Sequence, residues 1–414
     1  MKLGVIGAGS SYTPELLKGF LDISKDVDID EIWLYDINDE KLDVIYEFAK
    51  KFIKDVFKVH KTKDFEEVVR DSDYVVFQFR PGGLEGRLKD ETIPLKYGLI
   101  GQETTGVGGF AAALRAFPVI EDYVNRIEKT SKATIINFTN PSGHITEFVL
   151  NYLKFDRYIG LCNIPINLLK ALSDFLSCSM DDLFLKYYGL NHLTFLERIY
   201  VNGKDVTDEF FKKLGEVDTD SIGYGFESSF LKEIGMVLNP YLRYYLRTSE
   251  MLEKLKNSKP RAQEVMEIEK ELFEKYKSVD NIPEGLSKRG GSLYSTAAAL
   301  LIRDLALGNG KIHIVNTKNN GSVKNLPDDY VMELPSLVKG GKVLPVTLGE
   351  ASRFAKVFIN TIKEYERLTI EAYLKKSKTL AKEALLVHPL GPEIKDVGNL
   401  LDDIIKANNF GFLE

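Results

Sequence analysis

Cysteine, tryptophan and glutamine are scarce in this chain of 414 residues, which has two cysteines, one tryptophan and three glutamines. Two cysteines cannot make a disulfide framework, and free thiols are typical of a reducing compartment. The N-terminus also lacks a charged segment followed by an apolar run and a cleavage site. We therefore predict a cytoplasmic protein. The low glutamine content beside abundant Lys and Glu indicates a heat-adapted source.

Long apolar runs and an excess of positive charge are missing too. No stretch approaches the roughly 18 uninterrupted apolar residues that a membrane span needs. The formal net charge is -6, which argues against a general nucleic-acid surface but leaves room for a local basic pocket that binds a small anion. The sequence thus predicts no membrane and no nucleic-acid partner. Its length exceeds that of one ordinary core, which predicts two interlocked domains.

The first residues are typical of a strand, a tight turn and a helix. In "KLGVIGAGSSYTPELLKGFL", Gly7 and Gly9 follow a β-branched run, and Thr13 and Pro14 suit a helix start. Glycines there let the backbone approach a pyrophosphate at the helix N-terminus. The third glycine of the dinucleotide fingerprint is absent, because Tyr12 stands in its place. This match is weak when taken alone.

A second predicted strand, "EIWLY", ends at Asp36. A carboxylate in that place can accept hydrogen bonds from both ribose hydroxyls of an adenosine and would repel a 2'-phosphate, which favours NAD over NADP. The alternative is that Asp36 only caps the helix that follows it.

Three further apolar runs predict parallel strands that are buried on both faces. They are "DYVVFQF" (73–79), "ATIINF" (133–138) and "RYIGLC" (157–162). Ligands of such sheets gather at the carboxyl ends of the strands, where "RPGG", "TNPSG" and Cys162 lie. We therefore expect three loops to converge on one crevice.

Cys162 and His192 are candidate metal ligands. Cys162 ends the last of these strands, and His192 lies in "YYGLNHLTFLERIYVNG", which predicts a strand pair closing on Asn202 and Gly203. Both residue types bind divalent ions when deprotonated, and two protein ligands leave positions open for substrate oxygens. The alternatives are a packed apolar cysteine and a hydrogen-bonded core histidine.

Arg87 and Arg261 are candidate anion-binding residues, because guanidinium groups match the geometry of phosphate oxygens. Alternatively, each is a surface or ion-paired arginine. Tyr241 lies in the tyrosine-rich stretch "NPYLRYYLR". Most tyrosines in such stretches pack in a core or an interface, and a tyrosine that acts as a base needs a nearby cation to lower its pKa.

These motifs together resemble glycoside hydrolase family 4, and within it the enzymes of thermophilic bacteria that act on 6-phospho-β-glucosides. The resemblance runs from the first strand to about residue 400 and is carried by "GAGSSYTPELL", "FRPGGLEGR", "GLIGQETTGVGGFAAALR", "NFTNPSGHITE", "IGLCN", "GLNHL", "NPYLRYY" and "KRGGSLYSTAAALLI".

The resemblance implies an α/β fold with two domains. A Rossmann-like parallel-sheet domain over residues 1–165 would bind NAD. An α/β domain similar to the C-terminal domain of lactate dehydrogenase, over residues 166–414, would carry the metal and substrate site and the subunit contacts. A homodimer or homotetramer is expected on the same ground.

The resemblance also implies the cofactors NAD and Mn²⁺ and a role for each site residue. Tyr241 becomes the catalytic base, and Cys162 and His192 become the metal ligands. The cofactor would contact Gly7, Gly9, Ser10, Ser11 and Asp36, and the phosphorylated sugar would contact Arg87, Asn140, Asn163 and Arg261.

The implied reaction is hydrolysis of a 6-phospho-β-glucoside such as cellobiose 6-phosphate. NAD would oxidise C3, Tyr241 would deprotonate C2, the aglycone would leave by elimination, and water addition and re-reduction would complete the cycle. Members acting on α-linked substrates carry an Asp after the metal-binding Cys, whereas this chain has Asn163, and an amide cannot supply a proton. This departure favours β-linked substrates and leaves the leaving-group acid open.

Three alternatives stay open from the sequence. They are a 6-phospho-α-glucosidase of the same family, a plain NAD-dependent 2-hydroxy acid dehydrogenase, and a non-catalytic protein that senses NAD or a sugar phosphate. The glycines of "KRGGSLYS" (288–295) either approach a phosphate at a helix start or serve helix packing.

Overall fold

In the computed structural model, which describes residues 1–214, 225–289 and 293–413, six parallel strands form the centre of the fold. They pair in the order β3-β2-β1-β4-β5-β6, which is the strand order of dinucleotide-binding folds. Their bounds are Lys2–Ile6 (β1), Glu31–Tyr35 (β2), Lys58–Thr62 (β3), Tyr74–Phe77 (β4), Thr134–Asn137 (β5) and Tyr158–Gly160 (β6).

A second, antiparallel sheet follows in the chain. It contains Leu183–Leu190 (β7), Leu193–Val201 (β8), Lys204–Asp205 (β9) and Val237–Leu238 (β10). Strand β8 lies between β7 and β10, and β9 pairs with β8 across the turn at Asn202 and Gly203. The predicted strand pair that closes on this turn is therefore present.

Three later strands extend the parallel sheet. These are Ile312–Lys318 (β11), Val331–Lys339 (β12) and Lys342–Pro345 (β13), and β11 joins β6 through an antiparallel pair between Asn316 and Gly160. The resulting nine-stranded sheet takes strands from both sides of residue 165. A domain boundary at that residue stays a prediction.

Helices cover both faces of the large sheet, which separates two hydrophobic cores. Because side chains alternate along a strand, Val5 and Ile6 enter opposite cores. The described helices are Thr13–Ile23, Asp39–Ile53, Phe65–Val69, Gly83–Lys96, Gly106–Thr130, Ser142–Glu147, Ile164–Leu176, Thr207–Leu214, Ser228–Ile234, Arg243–Leu246, Thr248–Asn257, Arg261–Tyr276, Tyr294–Leu307, Arg353–Leu374, Lys378–Val387 and Ile394–Asn408. Within the described residues, none of them is both long and apolar enough to cross a bilayer.

Candidate active site

A cavity of about 1190 Å³ opens at the carboxyl ends of the parallel strands. One side, here called the glycine-loop wall, consists of residues 6–16 and 35–41 that face the cavity. Another part of the lining, the arginine wall, consists of Arg80, Arg87, Glu91, Glu103, Asn140, Asn163, His192, Tyr241, Arg243, Arg261, Glu264 and Tyr294. Loops from distant parts of the chain therefore meet in one crevice, as their positions after buried strands predicted.

Gly7 and Gly9 have no room for a side chain. Gly7 has a φ of +88°, and a Cβ there would lie 2.8 Å from the backbone of Phe79. A Cβ on Gly9 would lie 2.8 Å from the carboxylate of Asp36. Larger residues at either position would displace the loop, so the backbone itself is what faces the cavity.

Asp36 holds the glycine loop against the end of β2. Its carboxylate accepts hydrogen bonds from the backbone N–H of Gly9 and of Asn38, both at 2.8 Å. The helix Asp39–Ile53 is capped by Asn38, whose side chain accepts from the N–H of Lys41. Capping is therefore done by Asn38 and not by Asp36.

The side chains of the two serines in the glycine loop point in different directions. Ser10 lines the cavity, and its hydroxyl oxygen accepts from the N–H of Tyr12 at 3.2 Å. Ser11 is fully buried, and its hydroxyl donates to Glu269 at 3.0 Å. Tyr12, at the place of the missing third glycine, lies 4.3 Å from the guanidinium of Arg289 in a cation–π contact.

Cys162 follows β6 and lies just behind the cavity surface, with an exposed fraction of 2%. Burial raises the pKa of its thiol well above the usual range, and the nearby charge of Glu333 raises it further. The side chain of Asn191 forms a hydrogen bond with the sulfur. In the absence of a cation, these surroundings favour the protonated thiol.

His192 lies in the two-residue turn between β7 and β8, with a φ of +65°, and not inside a strand of the predicted pair. Its Nδ1 is 2.8 Å from the hydroxyl of Thr104, which also donates to the side-chain oxygen of Gln102 at 2.9 Å. A hydroxyl has one proton, so Thr104 accepts from Nδ1–H and the lone pair of His192 is on Nε2. Burial lowers the pKa of His192 to about 4, so the ring is neutral.

Tyr241 stacks on the ring of His192, with centroids 4.0 Å apart and planes at 7°. Its backbone N–H donates to the side chain of Asn239 at 3.0 Å, which fixes the start of a short helical turn. Burial raises the pKa of the Tyr241 hydroxyl, and the charge of Glu103 adds to the effect. The hydroxyl therefore keeps its proton unless a cation lies beside it.

Cys162, His192 and Tyr241 fit a metal site that a substrate completes. The neutral imidazole with a free Nε2 is the form that binds a metal ion, and the thiol of Cys162 would ionise on binding one. No cluster of three or more His, Cys, Asp or Glu side chains suited to a metal occurs in residues 1–214, 225–289 and 293–413. Cys162 and His192 would therefore supply two ligands, and further positions would be filled by substrate oxygens or water.

Arg87 both lines the cavity and forms ion pairs. It lies 2.7 Å from Glu91 and 3.2 Å from Glu103, and Glu103 also pairs with Arg80. Burial opposes ionisation of Glu103, but the charges of Arg80 and Arg87 outweigh it and lower the pKa of that carboxyl. Glu91 also accepts from the N–H of Ala262 at 2.8 Å, which connects Arg87 to the helix that begins at Arg261.

Arg261 is 40% exposed at its side chain and lies 2.7 Å from Glu264. Its guanidinium also donates to the backbone oxygens of Lys288 and Arg289. Asn140 lines the same wall, and its buried side-chain oxygen has no hydrogen-bond partner among the described residues. Asn163 lines the wall as well and begins the helix Ile164–Leu176. The structure therefore brings all four predicted sugar-binding residues to one cavity.

Six residues of the arginine wall were not singled out from the sequence: Arg80, Glu91, Glu103, Arg243, Glu264 and Tyr294. Four of them, Arg80, Glu103, Arg243 and Tyr294, lie inside stretches that carried the family resemblance, but no local pattern distinguishes any of the six from surface residues. Their position depends on tertiary contacts. Gly290 and Gly291 of "KRGGSLYS", for which an approach to a phosphate was considered, lie outside the described residues.

The model of the family 4 glycosyl hydrolases matches residues 2–178, and the model of the C-terminal domain of that family matches residues 187–391. The chain belongs to the family 4 glycosyl hydrolases. The resemblance carried by the sequence motifs is thus confirmed. At the level of fold alone, this family 4 chain is also similar to a malate dehydrogenase of Cryptosporidium parvum, with 14% identity, a TM-score of 0.53 and coverage of 90% and 99%. The predicted α/β fold with a Rossmann-like sheet is confirmed.

Among family 4 members, the chain is 58% identical to the 6-phospho-beta-glucosidase of Thermotoga maritima, covering 99% of this chain and 98% of that protein. Structures of a Thermotoga maritima 6-phospho-beta glucosidase with NAD and glucose-6-phosphate, and with manganese, NAD⁺ and glucose-6-phosphate, match with TM-scores of 0.96, 58% identity and at least 98% coverage of both chains. A phospho-alpha-glucosidase of Clostridium acetobutylicum is 31% identical, with coverage of 98% and 97%.

Proposed function

We propose that this protein hydrolyses 6-phospho-β-glucosides with the help of NAD and a divalent metal ion, for which Mn²⁺ is the first candidate. The observation that carries the proposal is the placement of Tyr241. Its ring stacks on that of His192, and its side chain lines the same cavity as the glycine loop. The 58% identical Thermotoga maritima enzyme has been solved with all three ligand types.

The glycine-loop wall would hold the dinucleotide. Gly7, Gly9 and Ser10 present backbone to the cavity at the start of the helix Thr13–Ile23, where a pyrophosphate is stabilised by the helix N-terminus. Asp36 is in the place that suits a ribose diol. Ser11 would support the loop from behind, because it is fully buried and its hydroxyl donates to Glu269.

Cys162 and His192 would hold the metal ion. When bound, NAD supplies a reversible hydride acceptor and the cation supplies a Lewis acid for the sugar oxygens. Thr104 would keep the lone pair of His192 on Nε2. Asn191 would orient the sulfur of Cys162.

Tyr241 would act as the base that removes the C2 proton while C3 of the sugar is transiently a ketone. The stacked ring of His192 fixes the direction of the phenol, so the hydroxyl has little freedom to turn away. Its raised pKa means that the hydroxyl ionises only beside a cation, which couples proton removal to assembly of the complete site.

Arg87, Arg261 and Asn140 would bind the phosphate and the ring hydroxyls of the sugar. Binding at a position remote from the reacting carbons holds C2 and C3 in place, which lowers the entropic part of the barrier. The ion pairs of Arg87 with Glu91 and Glu103 keep its guanidinium positioned before substrate arrives. Asn163 at the place of an acidic residue supports β-linked over α-linked substrates.

The experiment is turnover of a 6-phospho-β-glucoside that carries deuterium at C2, in buffer with NAD, Mn²⁺ and a reductant. We expect hydrolysis without net NADH, a primary isotope effect and replacement of the label by solvent hydrogen. The same aglycone in an α-linkage should react much more slowly. Retention of the label in the product would refute base catalysis at C2.

Stoichiometric NADH with no free aglycone would instead support a plain dehydrogenase, which the malate dehydrogenase fold makes the second candidate. Absence of any turnover with all three additions would support the non-catalytic alternative. The reductant is needed because an ionised Cys162 would otherwise oxidise.

A further inference from the structure

Among the described residues, six arginines face the cavity, and they differ in whether a carboxylate pairs with them. Five form ion pairs with carboxylates within 4 Å, and the sixth, Arg243, forms none with the described residues. The five paired residues are Arg80, Arg87, Arg115, Arg261 and Arg289.

Charge balance makes this difference chemically significant. Arg80 and Arg87 share the two carboxylates of Glu91 and Glu103, so their charges of +2 and -2 cancel. Arg261 is likewise balanced by Glu264. A sugar phosphate carries up to two negative charges near neutral pH, and burying it against a neutral set of ion pairs leaves that charge uncompensated.

Arg243 is placed to supply the missing charge. It follows Tyr241 by two residues and begins the helix Arg243–Leu246, and its guanidinium carbon lies 5.3 Å from the ring centre of Tyr244. Its Nε is buried and has no hydrogen-bond partner among the described residues. A buried, unbonded guanidinium nitrogen on a cavity wall is costly unless a ligand accepts from it.

We propose that Arg243 binds the phosphate group of the substrate and supplies the positive charge that the ion-paired arginines cannot. The inference rests on the proposed function and adds a specificity-determining residue to it. Lys254 also faces the cavity, but its side chain is exposed on the helix Thr248–Asn257 and its charge is screened by water. The fork of Arg243 also matches phosphate oxygens in a way that a lysine does not.

The test is calorimetric binding of glucose 6-phosphate to the full chain loaded with NAD and Mn²⁺. We expect Arg243→Met to weaken binding about 10- to 100-fold, the range for loss of a charge-assisted hydrogen bond. Arg243→Lys, which keeps the charge but not the fork, should fall between this variant and the unchanged protein. The matched control is Arg247→Met, which removes an arginine one turn later that pairs with Glu227 and does not line the cavity.

Two further measurements separate phosphate binding from other roles. With a pair of p-nitrophenyl β-glucosides, with and without the 6-phosphate, Arg243→Met should lower kcat/KM only for the phosphorylated one. Equal losses on both would overturn the proposal and assign Arg243 to the aglycone or to the support of Tyr241. Affinity for glucose 6-phosphate within twofold of the unchanged protein would overturn it too. If the unchanged protein neither binds glucose 6-phosphate nor turns over the phosphorylated substrate, the proposed function itself fails.

Discussion

The glycine-loop wall and the arginine wall face the same cavity, but the first presents backbone groups and the second presents polar side chains. On the glycine-loop wall, Gly7, Gly9 and Asp36 come from one strand-turn-helix unit and the strand beside it, and backbone groups face the cavity. On the arginine wall, polar side chains from Arg87 to Arg261 meet, and most of the charged ones are already paired with one another.

This difference shows two ways of preparing a polar surface for a charged ligand. The glycine loop does so by excluding side chains, and the N–H of Gly9 is held by Asp36. The arginine wall does so with ion pairs that fix long side chains in advance, at the cost of neutralising their charge. We therefore expect substitutions that add bulk to impair the glycine-loop wall most. Substitutions that remove a ligand atom or a charge should impair the arginine wall most.

The largest effect is expected at the buried sulfur behind the arginine wall. Cys162→Ser should lower kcat by roughly 1000-fold or more, because a serine hydroxyl does not ionise near neutral pH and the Lewis acid is lost. Mn²⁺ binding, followed by electron paramagnetic resonance, should weaken in parallel. Cys178→Ser is the control, since this partly exposed thiol is remote from the cavity lining. Normal Mn²⁺ affinity in Cys162→Ser would exclude the ligand role.

The next largest effect is expected at Tyr241, whose ring stacks on that of His192. Tyr241→Phe should keep the ring on His192 and preserve affinity for glucose 6-phosphate, while kcat falls about 100-fold or more because the base is lost. Exchange of the C2 label with solvent should disappear with it. Tyr200→Phe, on β8 and remote from the cavity lining, should leave both unchanged. Persistent C2 exchange in Tyr241→Phe would require another base.

On the glycine-loop wall we expect a smaller effect, confined to the cofactor. Gly9→Ala places a methyl group 2.8 Å from the carboxylate of Asp36, and relief of such a contact costs about 1–3 kcal/mol. Affinity for NAD, measured by calorimetry, should fall about 5- to 150-fold while Mn²⁺ affinity is kept. Gly398→Ala, where a Cβ meets nothing within 4 Å, should change neither. Unaltered NAD affinity in Gly9→Ala would place the dinucleotide elsewhere.

The last effect concerns stability and two buried histidines outside both walls. Burial lowers the pKa of His144 and of His388 to about 3, below the usual value near 6.5. Between these values the unfolded chain binds protons that the folded chain does not, so the free energy of unfolding falls as pH drops below about 6.5. The slope approaches about 1.4 kcal/mol per pH unit for each histidine.

Urea unfolding of the metal-free protein from pH 7.5 to 5 measures how the free energy of unfolding depends on pH. The variant His388→Asn should lose the contribution of one histidine to that slope. An unchanged slope in that variant would mean that His388 titrates normally in the folded protein. Gly9→Ala should leave the slope as it is, because no histidine is altered.

Much of the glycine-loop wall could be predicted from sequence because its parts are close in the chain. The run before Gly7, the glycine spacing and Asp36 after β2 each report local backbone requirements. The resemblance of the motifs added the metal ligands, the base and the sugar-binding residues, and the structure brings them to one cavity. The ion pair of Arg87 with Glu103, and the hydrogen bond from Ala262 to Glu91, could not be predicted, since both form only through tertiary packing. The position of His192 in a turn was missed because the whole stretch from Tyr187 to Gly203 was assigned to one strand pair that closes at Asn202 and Gly203.

The sequence by itself determined the parallel sheet, the glycine loop and the membership in family 4, because short-range patterns of apolar, glycine and acidic residues encode them. Only the tertiary structure decided which arginines have ion-pair partners, which nitrogen of His192 carries the lone pair, and that the buried Nε of Arg243 has no hydrogen-bond partner in the part of the chain that the structure describes. The physical reason is that charge compensation and hydrogen bonding are properties of pairs of groups, and most of these pairs join residues that only the fold brings together.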